Sequence, residues 1–351
     1  HRSAAAQRAG PLFAPPQTDE EKRLARRALF LCRQAELSAD LAEELESIAT
    51  EHPEALMWAD ARGILPVHWL CGSPAVSVEL IAAVFDAIPT AATYRDSRGI
   101  LPLHWLCANA NASAEMLLLV LEAHEEAAEA VDHFGQLPLH WLCGSASEDV
   151  RAYQLIIDAN PDACDVPDRH GLMPLHWLCN NAFVYDEALE LLLEAQPEGA
   201  RMPDGHGQLP IHILCNNEAV TAALLQQLLT AFPDSASMTD ADGCLPLHFL
   251  AKTQPDAVEL WQLLLRATEE AAGGGGGGGL DLSELRALMP VLLGEGNAWT
   301  QGDVTGIKGR VKDVVKGAAT AYVRPEDRGA LLFVSSMSAV KHTREGCKQA
   351  A

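Results

Sequence analysis

Basic residues are scarce in this chain: 25 Lys and Arg stand against 48 Asp and Glu, a formal net charge of −23. A surface this acidic repels phosphate backbones, which argues against duplex nucleic acid as a partner. Long apolar runs are missing too. None approaches the roughly 20 residues of a membrane-spanning helix, so no membrane span is predicted. Aromatic residues supply only 5% of a chain that is 48% hydrophobic, leaving Ala and Leu to carry most of the burial. No glycine-rich nucleotide phrase appears in strand-to-helix context, and no nucleophile, base and orienting group suggest themselves as a set. The sequence therefore predicts neither catalysis nor a cofactor. Residues 1–16 lack the apolar core of a secretory signal. The chain starts at His1 rather than Met, which reads as a fragment or a processed form.

What is present is one phrase repeated six times at a spacing of 36 residues. The copies begin at Asp60, Asp96, Asp132, Asp168, Asp204 and Asp240, and the first reads Asp-Ala-Arg-Gly-Ile-Leu-Pro-Val-His-Trp-Leu-Cys. A fixed period of this size marks stacked repeats, each contacting its neighbours. Asp at the first position and Gly at the fourth is favoured turn chemistry. The Leu-Pro that follows suits the first turn of a helix, because proline needs no N–H partner there. A short helix is predicted through residues 67–71, with Val67, Leu70 and Cys71 on its core face and Trp69 opposite. A longer helix follows. Its core column is Val84, Val120, Ile156, Leu192, Leu228 and Leu264. Ala87, Ala123, Ala159, Ala195, Ala231 and Ala267 form a small-residue column, where a close helix approach is expected. Pro89, Pro161, Pro197 and Pro233 should end this helix.

These elements predict an all-α solenoid of helix-turn-helix repeats joined by turn fingers. Residues 1–19 form an N-terminal segment predicted to be disordered. Residues 20–272 form the array, with an N-terminal cap at 20–59 and six repeats from 60. Residues 273–279 read as a glycine linker, and 280–351 as a possible capping helix with a poorly ordered tail. A terminal unit with a polar outer face suits residues 20–34, which are rich in Glu, Lys and Arg.

Leu-Pro-Leu-His at residues 101–104, 137–140 and 245–248 resembles the Thr-Pro-Leu-His signature of ankyrin repeats. The likeness covers about residues 20–272 and includes the Asp-x-x-Gly turn and the helix pair. It implies binding of a protein partner through the turn fingers and the inner, concave helix face. Three features depart from the family. The period is 36 rather than about 33, and the extra length is expected between the helices near residues 72–78. Leu or Met replaces the family's Thr, and cannot cap the helix through a hydroxyl. Trp-Leu-Cys replaces the small residues after His.

Three columns have chemical interest. His68, His104, His140, His176, His212 and His248 are expected to be structural, bonded to neighbouring loop backbone. With Cys three residues on, they also offer a metal- or redox-responsive alternative, but zinc needs three or four converging ligands and each helix supplies two. Trp69, Trp105, Trp141 and Trp177 either pack between repeats or form an aromatic binding stripe. The finger tips vary while their frame is constant, as recognition loops do. Arg62, Arg98, His133, Phe134, Arg169, His170 and His206 are the candidate partner contacts there.

Cys71, Cys107, Cys143, Cys179 and Cys215 share one repeat position. Helices packed about 8–10 Å apart hold such residues beyond the roughly 7 Å that a disulfide spans. Reduced thiols favour an intracellular, cytoplasmic home. The expectation is thus a monomeric, non-catalytic scaffold for a protein partner, the acidic charge favouring one with a basic surface. A targeting arm of a larger enzyme is the further alternative.

Overall fold

The structure is a computed structural model, and it describes residues 16–34, 36, 38–60, 62–254 and 257–272. The glycine run, the expected capping helix and tail over residues 280–351, and residues 1–15 lie outside the described residues. Among the described residues every regular element is helical and none is a strand. The chain forms two compact units, His1–Ala163 and Cys164–Ala351. The 36-residue period runs through this division without a break, so nothing in the repeat phrase marks it.

The first unit begins with α1 (Asp19–Cys32) and α2 (Ala39–Glu51). Thr18 caps α1: its Oγ accepts the Glu21 N–H at 3.1 Å, and the Glu21 carboxylate accepts the Thr18 N–H at 3.0 Å. This reciprocal pair satisfies two donors that a helix start otherwise strands. Then come the short-and-long pairs α3 (Pro66–Cys71) and α4 (Val78–Ala87), α5 (Pro102–Cys107) and α6 (Ala114–Ala123), α7 (Pro138–Cys143) and α8 (Val150–Ala159). The short helices α3, α5 and α7 stack in one row behind α1, and the long helices α4, α6 and α8 stack in a second row behind α2. The second unit repeats this arrangement. There α9 (Pro174–Asn180), α11 (Pro210–Cys215) and α13 (Pro246–Thr253) form one row, and α10 (Asp186–Ala195), α12 (Ala222–Ala231) and α14 (Val258–Ala272) the other.

The predicted core columns are buried. Val84, Val120 and Ile156 in the first unit, and Leu192, Leu228 and Leu264 in the second, all lie inside. Each such side chain contributes about 1.5–3 kcal/mol when removed from water. Long helices start at a side-chain cap, as at Ser77, Ser113 and Thr221. The connection between the two helices covers residues 72–77 in the first full repeat. It is held there by side chains that satisfy helix-end carbonyls. Asn109 donates to the carbonyls of Cys71 and Ser73, and Asn217 to those of Cys179 and Asn181.

Two expectations need correction. The prolines do more than stop the long helix: Pro89 and its counterparts open a short 3-10 turn, such as Pro89–Thr93 or Pro233–Ser237. The close approach is in that turn, not at the alanine column. Ala87, Ala159 and Ala195 are exposed at the last helical position, where a side chain faces solvent rather than a neighbour. Buried instead are Ala91-Ala92 and Ala127-Ala128 in the first unit, and Gly199-Ala200 and Ser235-Ala236 in the second.

Candidate functional site

Each finger is built by its aspartate. Asp96 Oδ1 accepts the Arg98 N–H at 2.8 Å and the Ile100 N–H at 3.0 Å, and its carbonyl accepts the Gly99 N–H at 2.9 Å. Its own N–H donates to the Ile100 carbonyl at 2.9 Å. The same set recurs at Asp132, Asp168, Asp204 and Asp240. The loop closes through a left-handed glycine, with φ between +73° and +79° in the six copies. Only glycine occupies that region without strain. One rigid backbone therefore presents different side chains at each tip.

The fingers are also joined to one another. His133 N–H donates to the Arg98 carbonyl at 2.8 Å in the first unit. In the second, Gly205 donates to His170 at 2.9 Å and Ala241 to His206 at 3.1 Å. Arg95 spans two fingers, donating to the carbonyls of Gly99 and Val131. These bonds convert separate loops into a comb.

The tip side chains stay outside. Arg62, His133, Arg169, His170 and His206 are exposed, Arg98 is half-buried, and Phe134 keeps 42% of its surface in solvent. Phe134 is joined by exposed Val131, an apolar pair on the third finger of the first unit. Val131 escaped the sequence reading because it lies just before the repeated phrase. Met202 and Met238 occupy neighbouring positions in the second unit and are also exposed.

The histidines stand behind the fingers. His104 Nδ1 accepts the Leu101 N–H at 3.3 Å, and its Nε2 faces the Gln136 carbonyl of the next repeat at 3.3 Å. An Nδ1 that accepts leaves the proton on Nε2, so Nε2–H donates. His68 bonds Leu65 and Ile100 alike, His176 bonds Met173 and Gln208, and His212 bonds Leu209 and Met238. The imidazole thus reaches back to accept the N–H of the N-cap residue, the reciprocal half of a capping box, while in α5 the His104 N–H, which a Thr hydroxyl could accept, bonds the Leu101 carbonyl. Burial pushes these rings below the ordinary histidine value, to about 4 for His68 and about 3 for His104. His176, His212 and His248 are lowered for the same reason. With both nitrogens committed in these four rings, no lone pair is left to ligate a metal. Among the described residues no three His, Cys, Asp or Glu side chains are grouped to hold one.

The tryptophans divide. Trp105, Trp141 and Trp177 are buried, 3–4% exposed. Trp105 stacks against Trp69 at 5.3 Å between ring centroids, and Trp141 meets His104 edge-on at 5.9 Å. The helical angle placed this column opposite the core face, but the side of the short helix that it occupies is covered as well. Trp69 alone of the four remains half-exposed. Two guanidiniums lie over its ring, Arg33 at 4.4 Å and Arg62 at 5.5 Å. Arg33 had no signal in the sequence, since it lies in the cap, outside the repeat register.

The cysteine column is buried and makes no disulfide among the described residues. Burial pushes the thiols of Cys71, Cys107, Cys179 and Cys215 well above their ordinary range.

No protein-family model matches the sequence, and no curated protein does. Among solved structures, the chain is similar to the crystal structure of the human ASB11 ankyrin repeat domain. The match covers 72% of this chain and 98% of that one, at 15% sequence identity and a TM-score of 0.50. The likeness is one of fold: an ankyrin-type, all-helical repeat solenoid.

Proposed function

We propose that this ankyrin-type array is a non-catalytic module that binds a protein partner without covalent chemistry. Contact is made through the finger tips and the adjoining end of the short-helix row. The observation that carries this reading is the contrast within each finger. The backbone frame, its aspartate cap and its left-handed glycine repeat six times, while Arg62, Arg98, Phe134, Arg169, His170 and His206 vary on top of it. A rigid frame lowers the ordering cost of binding, and differing side chains give selectivity. Arginine and aromatic residues are the types over-represented among binding hot spots, and Trp69, half-exposed between two guanidiniums, belongs to the same edge.

The histidine column supports the scaffold reading over metal chemistry, because both nitrogens of His68, His104, His176 and His212 are occupied by backbone. Among the described residues no helix is long and apolar enough to cross a membrane. The buried thiol column suits a reducing, intracellular setting.

The test is a comparative capture. The full chain, immobilised, is compared with Phe134→Ala and with the Arg98→Ala/Arg169→Ala pair, all confirmed folded by circular dichroism. Loss of the captured protein from the finger variants, with the array still helical, is the expected result. Equal capture by all three would remove the fingers as the recognition element.

A further inference from the structure

The total charge of the chain points to a basic partner, but the distribution of charge in the first unit reverses that at the fingers. Between residues 34 and 150 the chain has three basic side chains, Arg62, Arg95 and Arg98, and all three are on the first two fingers or at their base. The acidic residues of the same stretch lie elsewhere, save the aspartates that build the turns. Glu115, Glu122, Glu125, Glu126 and Glu129, for example, are on the long helix or the 3-10 turn after it. Between α2 and α8 positive charge is thus confined to one edge; the other basic side chains described in this unit are Lys22, Arg23, Arg26 and Arg27 on α1, Arg33 at its end, and Arg151 on α8.

That edge also has a floor. Trp69 is flanked by Arg33 at 4.4 Å and Arg62 at 5.5 Å, and its ring continues into buried Trp105. Stacking on an indole holds a guanidinium plane in place and leaves its N–H edge available for bidentate bonds to carboxylates. Arg62 keeps most of its side chain in solvent, 62% exposed, with Asp60 3.9 Å away. Arg98 is 3.6 Å from Asp96, which steadies it one finger further along. The spacing is fixed by the repeat and the backbone stitching beyond it.

We propose that the edge formed by Arg33, Arg62, Arg98 and Trp69 seats an acidic segment of a protein partner, its carboxylates on the guanidiniums and an apolar side chain on the exposed part of Trp69. This rests on the binding-module reading above and names the chemistry of the segment bound. The field of the acidic remainder acts as a selectivity device: it repels polyanions at large, so a short, extended acidic stretch threaded along the fingers is preferred to a nucleic acid.

The experiment uses the full chain and a fluorescein-labelled peptide of alternating Glu and Leu, followed by anisotropy. A peptide with Lys in place of Glu and a labelled single-stranded oligouridylate are the comparison probes. Binding of the Glu peptide alone is expected, weakening as salt rises. Arg62→Glu/Arg98→Glu should weaken it by about tenfold or more, while Arg151→Glu, on α8 away from this edge, leaves it unchanged. If the double charge reversal does not fold, Arg62→Gln/Arg98→Gln carries the test. Equal binding of the Lys peptide, preference for the oligouridylate, no binding of the Glu peptide, or indifference to the double variant would each overturn the proposal. Should the finger variants still lose their captured protein while the Glu peptide fails, the acidic assignment falls and the binding-module reading stands.

Discussion

The indole Nε1–H of Trp177 donates to Asp168 Oδ2 across 3.2 Å, joining the fourth residue of a short helix to the first residue of its own finger. Asp168 therefore works twice, since its Oδ1 accepts the His170 and Leu172 N–H groups. In the last repeat Phe249 replaces Trp and offers no N–H. There, Gln208 of the preceding repeat supplies an amide to Asp240 Oδ2 at 3.4 Å instead. In the first unit, Trp105 Nε1 is buried without a hydrogen-bond partner.

Trp177→Phe strips that carboxylate oxygen of its donor while keeping most of the apolar volume. A loss of about 1–3 kcal/mol is expected from the stranded buried acceptor. Trp105→Phe removes an N–H that bonds nothing, so its loss should be clearly smaller. Chemical denaturation of the two variants beside the wild type checks this, and equal losses would contradict it.

Gly171 and Gly243 have the same left-handed backbone, with φ of +78° and +79°. A Cβ on Gly171 would meet the Gly205 backbone nitrogen at 2.8 Å, whereas one on Gly243 would meet nothing within 4 Å. Gly243→Ala should cost about 1–2 kcal/mol, the strain of the left-handed region alone. Gly171→Ala should cost more, because the next finger's backbone must move. Thermal denaturation midpoints rank the two, and a milder effect at Gly171 would show that the fingers are not held rigidly together.

His104→Ala deletes the acceptor for the Leu101 N–H and the donor to Gln136. Both groups are buried, so a destabilisation of about 1–3 kcal/mol is expected, seen as a lowered urea midpoint. An unchanged midpoint would remove the histidine's capping role.

The same histidines make the array acid-labile. Their folded pKa values lie below the unfolded value of about 6.5, at about 4 for His68 and about 3 for His104. Above pH 6.5 both states are neutral and nothing is lost. As pH falls below 6.5, the unfolded chain takes up protons that the folded chain refuses. Stability then falls by about 1.4 kcal/mol per pH unit for each such histidine until its folded pKa is reached. Asp96 and Asp60 near His68, and Asp204 near His176, favour the charged ring and reduce the effect. Denaturation midpoints at pH 7.5, 6.5, 5.5 and 4.5 should hold between the first two and then drop. A flat profile down to pH 5 would be incompatible with buried neutral imidazoles.

Thiol reactivity reports on the cysteine column. Cys71, Cys107, Cys179 and Cys215 are buried with raised pKa values, and Cys164 is pushed up to about 11. A disulfide reagent at neutral pH should leave these five unmodified in the folded protein, as mapped by mass spectrometry, and modify all of them in denaturant. Prompt reaction of the native column would refute the burial.

Much of this structure could be read from the sequence because it is local and periodic. The Asp-x-x-Gly turn, the Leu-Pro helix start and the Val84 column depend on residues within a few positions, and repetition averages out the ambiguity of any single copy. The finger tips were legible for the same reason, being the variable positions in a fixed frame. Arg33 stacking on Trp69 was not, because the two lie 36 residues apart and only one belongs to a repeat. The alanine column shows the opposite failure. Ala87, Ala159 and Ala195 repeat as faithfully as any core residue, yet they end a helix in solvent, while the paired small residues of the 3-10 turn take the close approach.

By itself, then, the amino-acid sequence determined the repeat unit, its helices and turns, and the residues available to each finger. These follow from backbone preferences and from a period that no insertion interrupts. Tertiary structure alone decided which equivalents face inward and which face solvent. Trp105 is sealed against neighbouring rings, whereas Trp69 stays half-open under two guanidiniums. The physical reason is that burial is a property of stacked neighbours some 36 residues away, and identical residues in equivalent positions meet different neighbours at the end of a stack than in its middle.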